Sequence, residues 1–121
     1  MSALGSVDPT ELVAGAWQLR PWPAAYADLD DLLAERYPAE QRALERERRV
    51  EGWVNGTHLG FAVREITTGA SVAEVTVLVH DERLATVAVW VRPSQDPTVI
   101  APAVGAAARR WASGALGLTP A

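Results

Sequence analysis

Residues 89–111, VWVRPSQDPTVIAPAVGAAARRW, combine a strand, a turn and a helix in an order that many proteins use to bind phosphate groups. A helix N-terminus presents unpaired backbone N–H groups to an anion, and glycines in the preceding turn let the backbone approach the phosphate closely. In this chain no glycine follows the strand until Gly105, and Asp96 and Pro97 stand in the turn. Asp96 would place a negative charge beside a phosphate, and Pro97 has no N–H to donate. The segment therefore has the position of a phosphate-binding loop without its residues.

The same turn has residue types that begin a helix. Asp96 or Thr98 can serve as the N-cap, and with Asp96 as the cap Pro97 takes the first helical position, where proline is favoured. Pro102 fits only in the first turn or so of a helix, which favours Thr98 as the cap. A carboxylate at the cap would occupy the positive end of the helix dipole that a phosphate otherwise uses. The sequence therefore predicts a self-capped helix in place of a phosphate loop.

Few other residues have the chemistry of a catalytic or metal site. The chain has no cysteine and no lysine, so its own residues cannot supply a thiolate, a disulfide or a Schiff base. His58 and His80 have no partners at metal-ligand spacing, and we expect no metal site. Glu74 and His80 share one face of a predicted strand, but they lie six residues apart, and we expect that face to be exposed. The charged run at residues 45–49 likewise predicts a solvated helix face.

Length and charge narrow the class of protein. The 121 residues are 49% hydrophobic and 21% charged, which is typical of one globular domain, here residues 1–121. The net charge of −4 argues against nucleic acid or an anionic membrane surface as a partner. No apolar run is long enough to span a membrane, and residues 1–15 lack the features of a secretory signal. We therefore expect a cytoplasmic protein whose residues 1–13 are flexible.

The periodicity of apolar residues predicts strands and helices in the order β-α-α-β-β-β-α. The predicted strands are residues 16–22, 59–66, 71–82 and 84–93, and the predicted helices are residues 24–37, 39–54 and 98–115. Tight turns join the last three strands, so they should form an antiparallel meander.

This order of elements, and the amino-acid sequences of several segments, resemble those of a known superfamily. The segments are WQLRPW, YADLDDLLAE, HLGFAVREITTGASVAEVTV, ATVAVWVRP and AAARRWASGALGL, within residues 16–118. They resemble the GCN5-related N-acetyltransferase (GNAT) superfamily, in particular its branch of ribosomal-protein acetyltransferases. The resemblance implies an α+β GNAT fold with a mainly antiparallel sheet. It also implies acyl-CoA-dependent N-acetyltransferase activity.

The resemblance further implies where acetyl-CoA would bind. Relatives carry a pattern like V-x-P-x-x-R-G-x-G-x-A after the fourth strand, and this chain aligns to it without a gap through VRPSQDPTVIA. Asp96 then replaces the arginine, Pro97 the first glycine and Val99 the second, so we expect no cofactor. If the loop were functional, the cofactor-binding residues would be Val91, Gln95, Asp96, Thr98, Val99 and Ile100. Trp90 and Arg92 are candidates for the adjacent cleft.

The chain also departs from the family near its C-terminus. In the family a fifth strand splays from the fourth, the acyl-pantetheine arm lies in the gap, and a later tyrosine acts as general acid. The sequence stops at Ala121, where the fifth strand should start, which predicts a truncated fold. Neither Tyr26 nor Tyr37 matches the family tyrosine, so no catalytic residue is assigned.

Without a fifth strand, Leu84–Val91 would be an apolar, uncovered sheet edge, which proteins avoid. We therefore expect a homodimer or a partner chain that covers this edge. The sequence predicts a degenerate, non-catalytic GNAT-like protein, a pseudoenzyme that acts by protein association or small-ligand binding. The alternative is an acyl-CoA-dependent N-acetyltransferase completed by a second subunit or dimer partner. A third possibility, unrelated chemistry near Trp90, Arg92 and Asp96, comes with no mechanism.

Overall fold

A single mixed sheet organises the fold. The computed structural model describes residues 4–22 and 26–121, and over these residues six strands lie side by side in chain order. They are β1 (Leu12–Ala14), β2 (Trp17–Pro21), β3 (His58–Glu65), β4 (Ser71–Val79), β5 (Leu84–Val91) and β6 (Thr119–Pro120). Neighbouring strands are antiparallel except β5 and β6, which are parallel.

Three helices in the described part of the chain pack against this sheet. Between β2 and β3 lie α1 (Tyr26–Arg36) and α2 (Ala39–Asn55), and α3 (Pro97–Leu116) lies between β5 and β6. Gly56 ends α2 with a φ of 68°, the left-handed conformation that glycine adopts without a steric penalty. The first two helices contact β3 and β4, whereas α3 contacts β4 and β5.

Alternation along the strands assigns the helices to opposite faces of the sheet. Glu74 pairs in register with Trp90, and Glu74 bonds to arginines of α1 and α2. The next pair, Val75 and Val89, points the other way, and Val89 lies beneath Gly105 of α3. We call these the α1–α2 face and the α3 face.

The α3 face carries an apolar core. Small residues of α3, including Val104, Ala107 and Ala108, are buried and allow the helix to lie close to the valines of β4 and β5. At one end Phe61 packs edge-on against Trp53 and Trp111, with ring centroids 5.3 Å apart in each pair. These contacts tie α2, β3 and α3 together by burying large apolar area.

The α+β class, the three-stranded meander and the mainly antiparallel sheet are confirmed. Two short strands extend the predicted order. The first, β1, overlaps the segment expected to be flexible, and upstream of it the Val7 N–H donates to the Trp53 carbonyl at 3.0 Å. Strands of two or three residues are too short to produce a period-two pattern, so periodicity could not reveal them.

The expectation that Leu84–Val91 lies entirely uncovered is wrong for its first half. There β6 pairs with Leu84 and Ala85, and the Val87 N–H donates to the Ala121 carbonyl at 3.2 Å. Residues 119–121 thus cover the first half of the strand that was expected to be a free edge. Beyond Val87 no described residue adds a strand on that side.

No helix of the described residues is both long enough and apolar enough to cross a membrane.

Candidate functional site

The start of α3 is closed by the chain itself. The Asp96 carboxylate accepts hydrogen bonds from the Thr98 N–H at 2.9 Å and from the Thr98 hydroxyl at 2.6 Å. Asp96 is the N-cap and Pro97 the first helical residue. The preference for Thr98 as cap is therefore wrong, and Pro102 lies inside the helix, where it gives up a bond to the Thr98 carbonyl. The two hydrogen bonds from Thr98 also lower the pKa of Asp96, so its carboxylate is ionised at neutral pH.

The other residues assigned to a cofactor loop do not share one surface. Ile100 is buried at 4% exposure in the core under α3, whereas Val99 beside it is 53% exposed. The Gln95 N–H donates to the Arg92 carbonyl at 2.9 Å, which closes the turn. Val91 is half-buried at the end of β5. The turn is thus stabilised by local hydrogen bonds.

The two cleft candidates lie towards α1. Arg92 binds Asp31 at 2.8 Å, pairs with Glu35 and donates to the Ser71 carbonyl at 3.0 Å. The hydrogen bond to Asp31, then that to Glu35, raises the pKa of Arg92 despite partial burial. Trp90 is half-buried on the α1–α2 face, where the Arg36 guanidinium lies 5.5 Å from its ring centroid.

Glu74 is the centre of a buried polar cluster. It is 2% exposed, which contradicts the expected exposed strand face. One carboxylate oxygen accepts from Trp22 at 2.7 Å and from Arg49 at 2.5 Å. The other accepts from Arg36 at 2.6 Å and from Arg49 at 2.8 Å. The absence of a side chain at Gly60 leaves room for the Trp22 ring, because a Cβ at this position would lie 2.6 Å from a ring atom.

Arg49 connects this cluster to Glu45, one turn earlier on α2. Arg49 binds the Glu45 carboxylate at 2.7 Å, and both residues are buried, so the solvated face expected for residues 45–49 is wrong at these two positions. Burial alone would lower the pKa of Arg49, but the hydrogen bonds and charge of Glu74, and the hydrogen bond to Glu45, raise it above its ordinary value. Burial would raise the pKa of Glu45, and Arg49 lowers it instead. Both groups therefore stay charged inside the fold.

A cavity of about 180 Å³ lies beside this cluster on the α1–α2 face. Its lining residues are Arg36, Tyr37, Glu45, Arg48, Arg49, His58, Gly60, Thr76, Leu78 and Ala88. Burial, followed by the charges of Arg48 and Arg49, lowers the pKa of His58 below 6.5, so the imidazole is neutral at pH 7. His80 lies outside the cavity, is exposed and contacts the Thr86 hydroxyl at 2.7 Å.

The described residues contain no group of three or more histidine, aspartate or glutamate side chains arranged to hold a metal ion. Sequence reasoning missed the cavity because its residues come from five elements, α1, α2, β3, β4 and β5. One signal was available: Glu74 stands in the run VAEVTVLV, where a charged residue needs a buried partner.

The fold is that of the GNAT acetyltransferases. A Vibrio cholerae protein assigned as a ribosomal-protein-serine acetyltransferase matches 98% of this chain and 74% of its own, with a TM-score of 0.70 at 16% identity. A GCN5-related N-acetyltransferase from Brucella melitensis matches 97% of this chain and 60% of its own, with a TM-score of 0.67 at 13% identity. The dodecameric spermidine N-acetyltransferase of Vibrio cholerae matches 85% of this chain and 66% of its own, with a TM-score of 0.68 at 15% identity.

No protein-family model matches the sequence, and no curated protein matches it at a significant level. At these identities the structural likeness is one of fold, and in that sense the resemblance predicted from the sequence is confirmed.

Proposed function

We propose that this chain is a non-catalytic GNAT-fold module that does not load acyl-CoA and binds a small ligand instead. The observation that carries this proposal is the Asp96 cap at the start of α3. In acyltransferases of this fold, the backbone N–H groups at that position hold the cofactor pyrophosphate. Here the Thr98 N–H is bonded to Asp96, and the Val99 and Ile100 N–H groups are directed at the Asp96 carbonyl, at 3.4 and 3.3 Å.

Electrostatics supports the same conclusion. An ionised carboxylate at the N-terminus of a helix satisfies the dipole that would attract a phosphate, and it repels a second anion. Pro97 removes one more N–H from the first turn. To bind here, a pyrophosphate would have to displace the Asp96 carboxylate from the Thr98 N–H and lie close to its negative charge.

A second role, self-association, is favoured by the remaining edge of β5. The Val87 N–H points away from β4, so by alternation the N–H groups of Val89 and Val91 point the same way. No described residue pairs with them there. A strand from a second copy of the chain would cover this short edge, and twofold symmetry would satisfy both copies at once.

The alternative function, acyl transfer from acyl-CoA, is favoured by one feature. Because β6 accompanies β5 only as far as Val87, the two strands leave space along Val89–Val91. In acyltransferases of this fold a gap between the corresponding strands holds the pantetheine arm. A second subunit would then have to complete the site.

Titration of acetyl-CoA into the protein by calorimetry separates the two functions, and light scattering on the same sample measures self-association. The proposal expects no saturable heat and a dimer mass. Saturable micromolar binding would overturn it in favour of the acyltransferase, and a monomer mass would remove the association role alone.

A variant tests whether the turn is the cause. The triple change Asp96→Arg, Pro97→Gly and Val99→Gly restores the residues that relatives carry in their loop. We expect it to gain acetyl-CoA binding that the unchanged protein lacks. If both proteins bind equally, the cap does not control the cofactor.

A further inference from the structure

Several polar groups that line the cavity on the α1–α2 face have no hydrogen-bond partner among the described residues. Arg36 uses one nitrogen, Nη1, on Glu74, and Arg48 uses Nη1 on Glu45. Among the described residues, the other guanidinium nitrogens of these two arginines make no hydrogen bond. The Thr76 hydroxyl and the His58 ring, which also line the cavity, have no hydrogen-bond partner in that part of the chain either. Four polar groups on four elements therefore remain available to one occupant.

The charge of the cavity favours an anion. Of the residues that the structure describes, three arginines line it, Glu45 is the one carboxylate in the lining, and Glu74 lies beneath Arg36 and Arg49. With His58 neutral, these five side chains together carry one more positive than negative charge. Arg49 bonds both carboxylates, whereas Arg36 and Arg48 each bond one carboxylate through a single nitrogen and are therefore the less fully paired arginines. This positive charge would repel a protonated amine, and a single carboxylate would neutralise it.

The size and the remaining surface of the cavity define the rest of the ligand. Leu78, Ala88 and the ring of Tyr37 provide an apolar wall. An engineered apolar cavity of about 150 Å³ takes up benzene, and this one measures about 180 Å³. A six-membered ring, or an aliphatic chain of that volume, therefore fits together with one carboxylate.

We propose that this cavity binds a small organic monocarboxylate, whose charged end meets Arg36 and Arg48 and whose apolar body rests against Tyr37, Leu78 and Ala88. The inference rests on the proposed ligand-binding function and names its ligand class. It requires no acyl-CoA and no residue of the turn before α3, so it can fail while the proposal about the cofactor stands.

Benzoate is the probe, with benzamide and benzylamine as matched compounds that keep the ring and change the charge. Binding is followed by backbone and indole N–H shifts in NMR. We expect benzoate to saturate at about millimolar concentration or below, with shifts at His58 and Thr76. Benzamide should bind at least about tenfold more weakly, and benzylamine should not bind. Equal shifts from all three compounds, or no saturable shift with benzoate, would overturn the proposal.

Variants on α2 locate the site. Arg48 is half-exposed, and within the described part of the chain it bonds only to Glu45, so Arg48→Met should fold, and we expect it to weaken benzoate binding about tenfold or more. Arg46→Met is the matched control, because Arg46 stands on the same helix, pairs with Asp30 and does not line the cavity. Equal affinity in both variants would overturn the proposal. Ala88→Val narrows the cavity from the exposed side of β5 and should also weaken binding.

Two further probes exclude other sources of the same chemistry. Inorganic phosphate tests for charge alone, and a tripeptide with a free C-terminus tests for a protein tail. We expect both to bind more weakly than benzoate, since neither places a compact apolar body against Leu78 and Ala88. Tighter binding of either one would overturn the assignment to a small monocarboxylate.

Discussion

Towards α3 the sheet presents valines and Phe61 to a helix of small residues, whereas towards α1 and α2 it presents a buried glutamate held by two arginines and a tryptophan. In the polar set Glu74, Arg49 and Trp22 are as well buried as the apolar core, whereas the Arg36 side chain is 32% exposed. On the α3 face, stability follows from apolar area removed from water and from close packing. On the α1–α2 face, each buried charge must have a counter-charge, because an unpaired charge in the interior is far more costly than an imperfect apolar contact.

This difference teaches where the molecule tolerates change. An apolar face can absorb substitutions that keep volume and shape. A buried ion cluster fails when one member is removed, because the others remain buried without a counter-charge. It is also the face that carries the cavity, since arginines anchored by Glu74 and Glu45 keep further donors for an occupant.

Removal of Glu74 should break the α1–α2 face and have the largest effect. Glu74→Ala leaves Arg49 buried without its main counter-charge, and we expect the free energy of unfolding to fall by about 3–5 kcal/mol. Urea denaturation measures the change. Glu47→Ala, an exposed glutamate on α2, is the control and should change stability by less than about 0.5 kcal/mol. A loss below about 1 kcal/mol for Glu74→Ala would mean that the cluster behaves like a surface pair.

A double variant sharpens this result. Glu74→Met combined with Arg49→Met removes both principal charges, and we expect it to be more stable than Glu74→Met alone, because no uncompensated guanidinium remains at Arg49. Additive losses in the same denaturation experiment would contradict the view that these two residues act as a unit.

Overpacking tests the α3 face. Ala108 is fully buried where α3 meets the sheet, and Ala108→Leu should cost about 1–3 kcal/mol by forcing the helix outward. Ala115→Leu makes the same change at an exposed position of α3 and should be close to neutral. If the two variants unfold at the same urea concentration, α3 does not pack as closely as its small residues imply.

Arg92 forms a partly exposed charge cluster with Asp31 and Glu35, which can be compared with the buried cluster around Glu74. Its partners Asp31 and Glu35 are 60% and 30% exposed, so water screens them. We expect Arg92→Met to cost less than about 1 kcal/mol, and the difference from the unchanged protein should shrink as salt is raised. Thermal unfolding at low and high salt measures both. A loss of stability as large as that of Glu74→Ala would mean that the partly exposed cluster and the buried cluster do not differ.

The charge of the Asp96 cap should have the smallest effect, and it depends on pH. The folded-state pKa of Asp96 is lowered from its ordinary value of 3.8 by the Thr98 hydrogen bonds. The stability from its ionised form is therefore complete above that value and is lost as pH falls through the lower folded-state pKa. Asp96→Asn keeps a capping side chain without the charge, so it should be slightly less stable at about pH 7, by a difference that is smaller at about pH 3. Melting temperatures of the two proteins at both pH values test this, and a gap that widens in acid would contradict it.

Local patterns in the sequence were enough for much of the fold. Alternating apolar residues identified the three strands of the meander, and Gly69 marked the hairpin turn, where its φ is 73°. The predicted start of α3 was close, because Asp, Pro and Thr act within one turn of each other. The cap itself was misassigned to Thr98, because the hydrogen bonds of Asp96 stabilise a helix that continues through Pro102.

The contacts within the candidate site could not be predicted from local patterns in the sequence. Glu74 and Trp90 were placed correctly on strands, but their neighbours could not be read from those strands. Glu45 and Arg49 have the spacing of a surface ion pair, and nothing in that spacing says whether the pair faces water or the sheet.

The sequence by itself determined the three helices and the four longer strands, their order, the two faces of those strands and a helix start that caps itself. Those features depend on residues a few positions apart, and backbone geometry fixes what such neighbours can do. Only the tertiary structure decided that Glu74 is buried, because its partners Arg49, Arg36 and Trp22 lie 25, 38 and 52 residues away along the chain. It likewise decided that β6 returns to the edge of β5. A polar residue on a strand face meets water or a counter-charge according to which helices pack over it, and that is set by the whole fold.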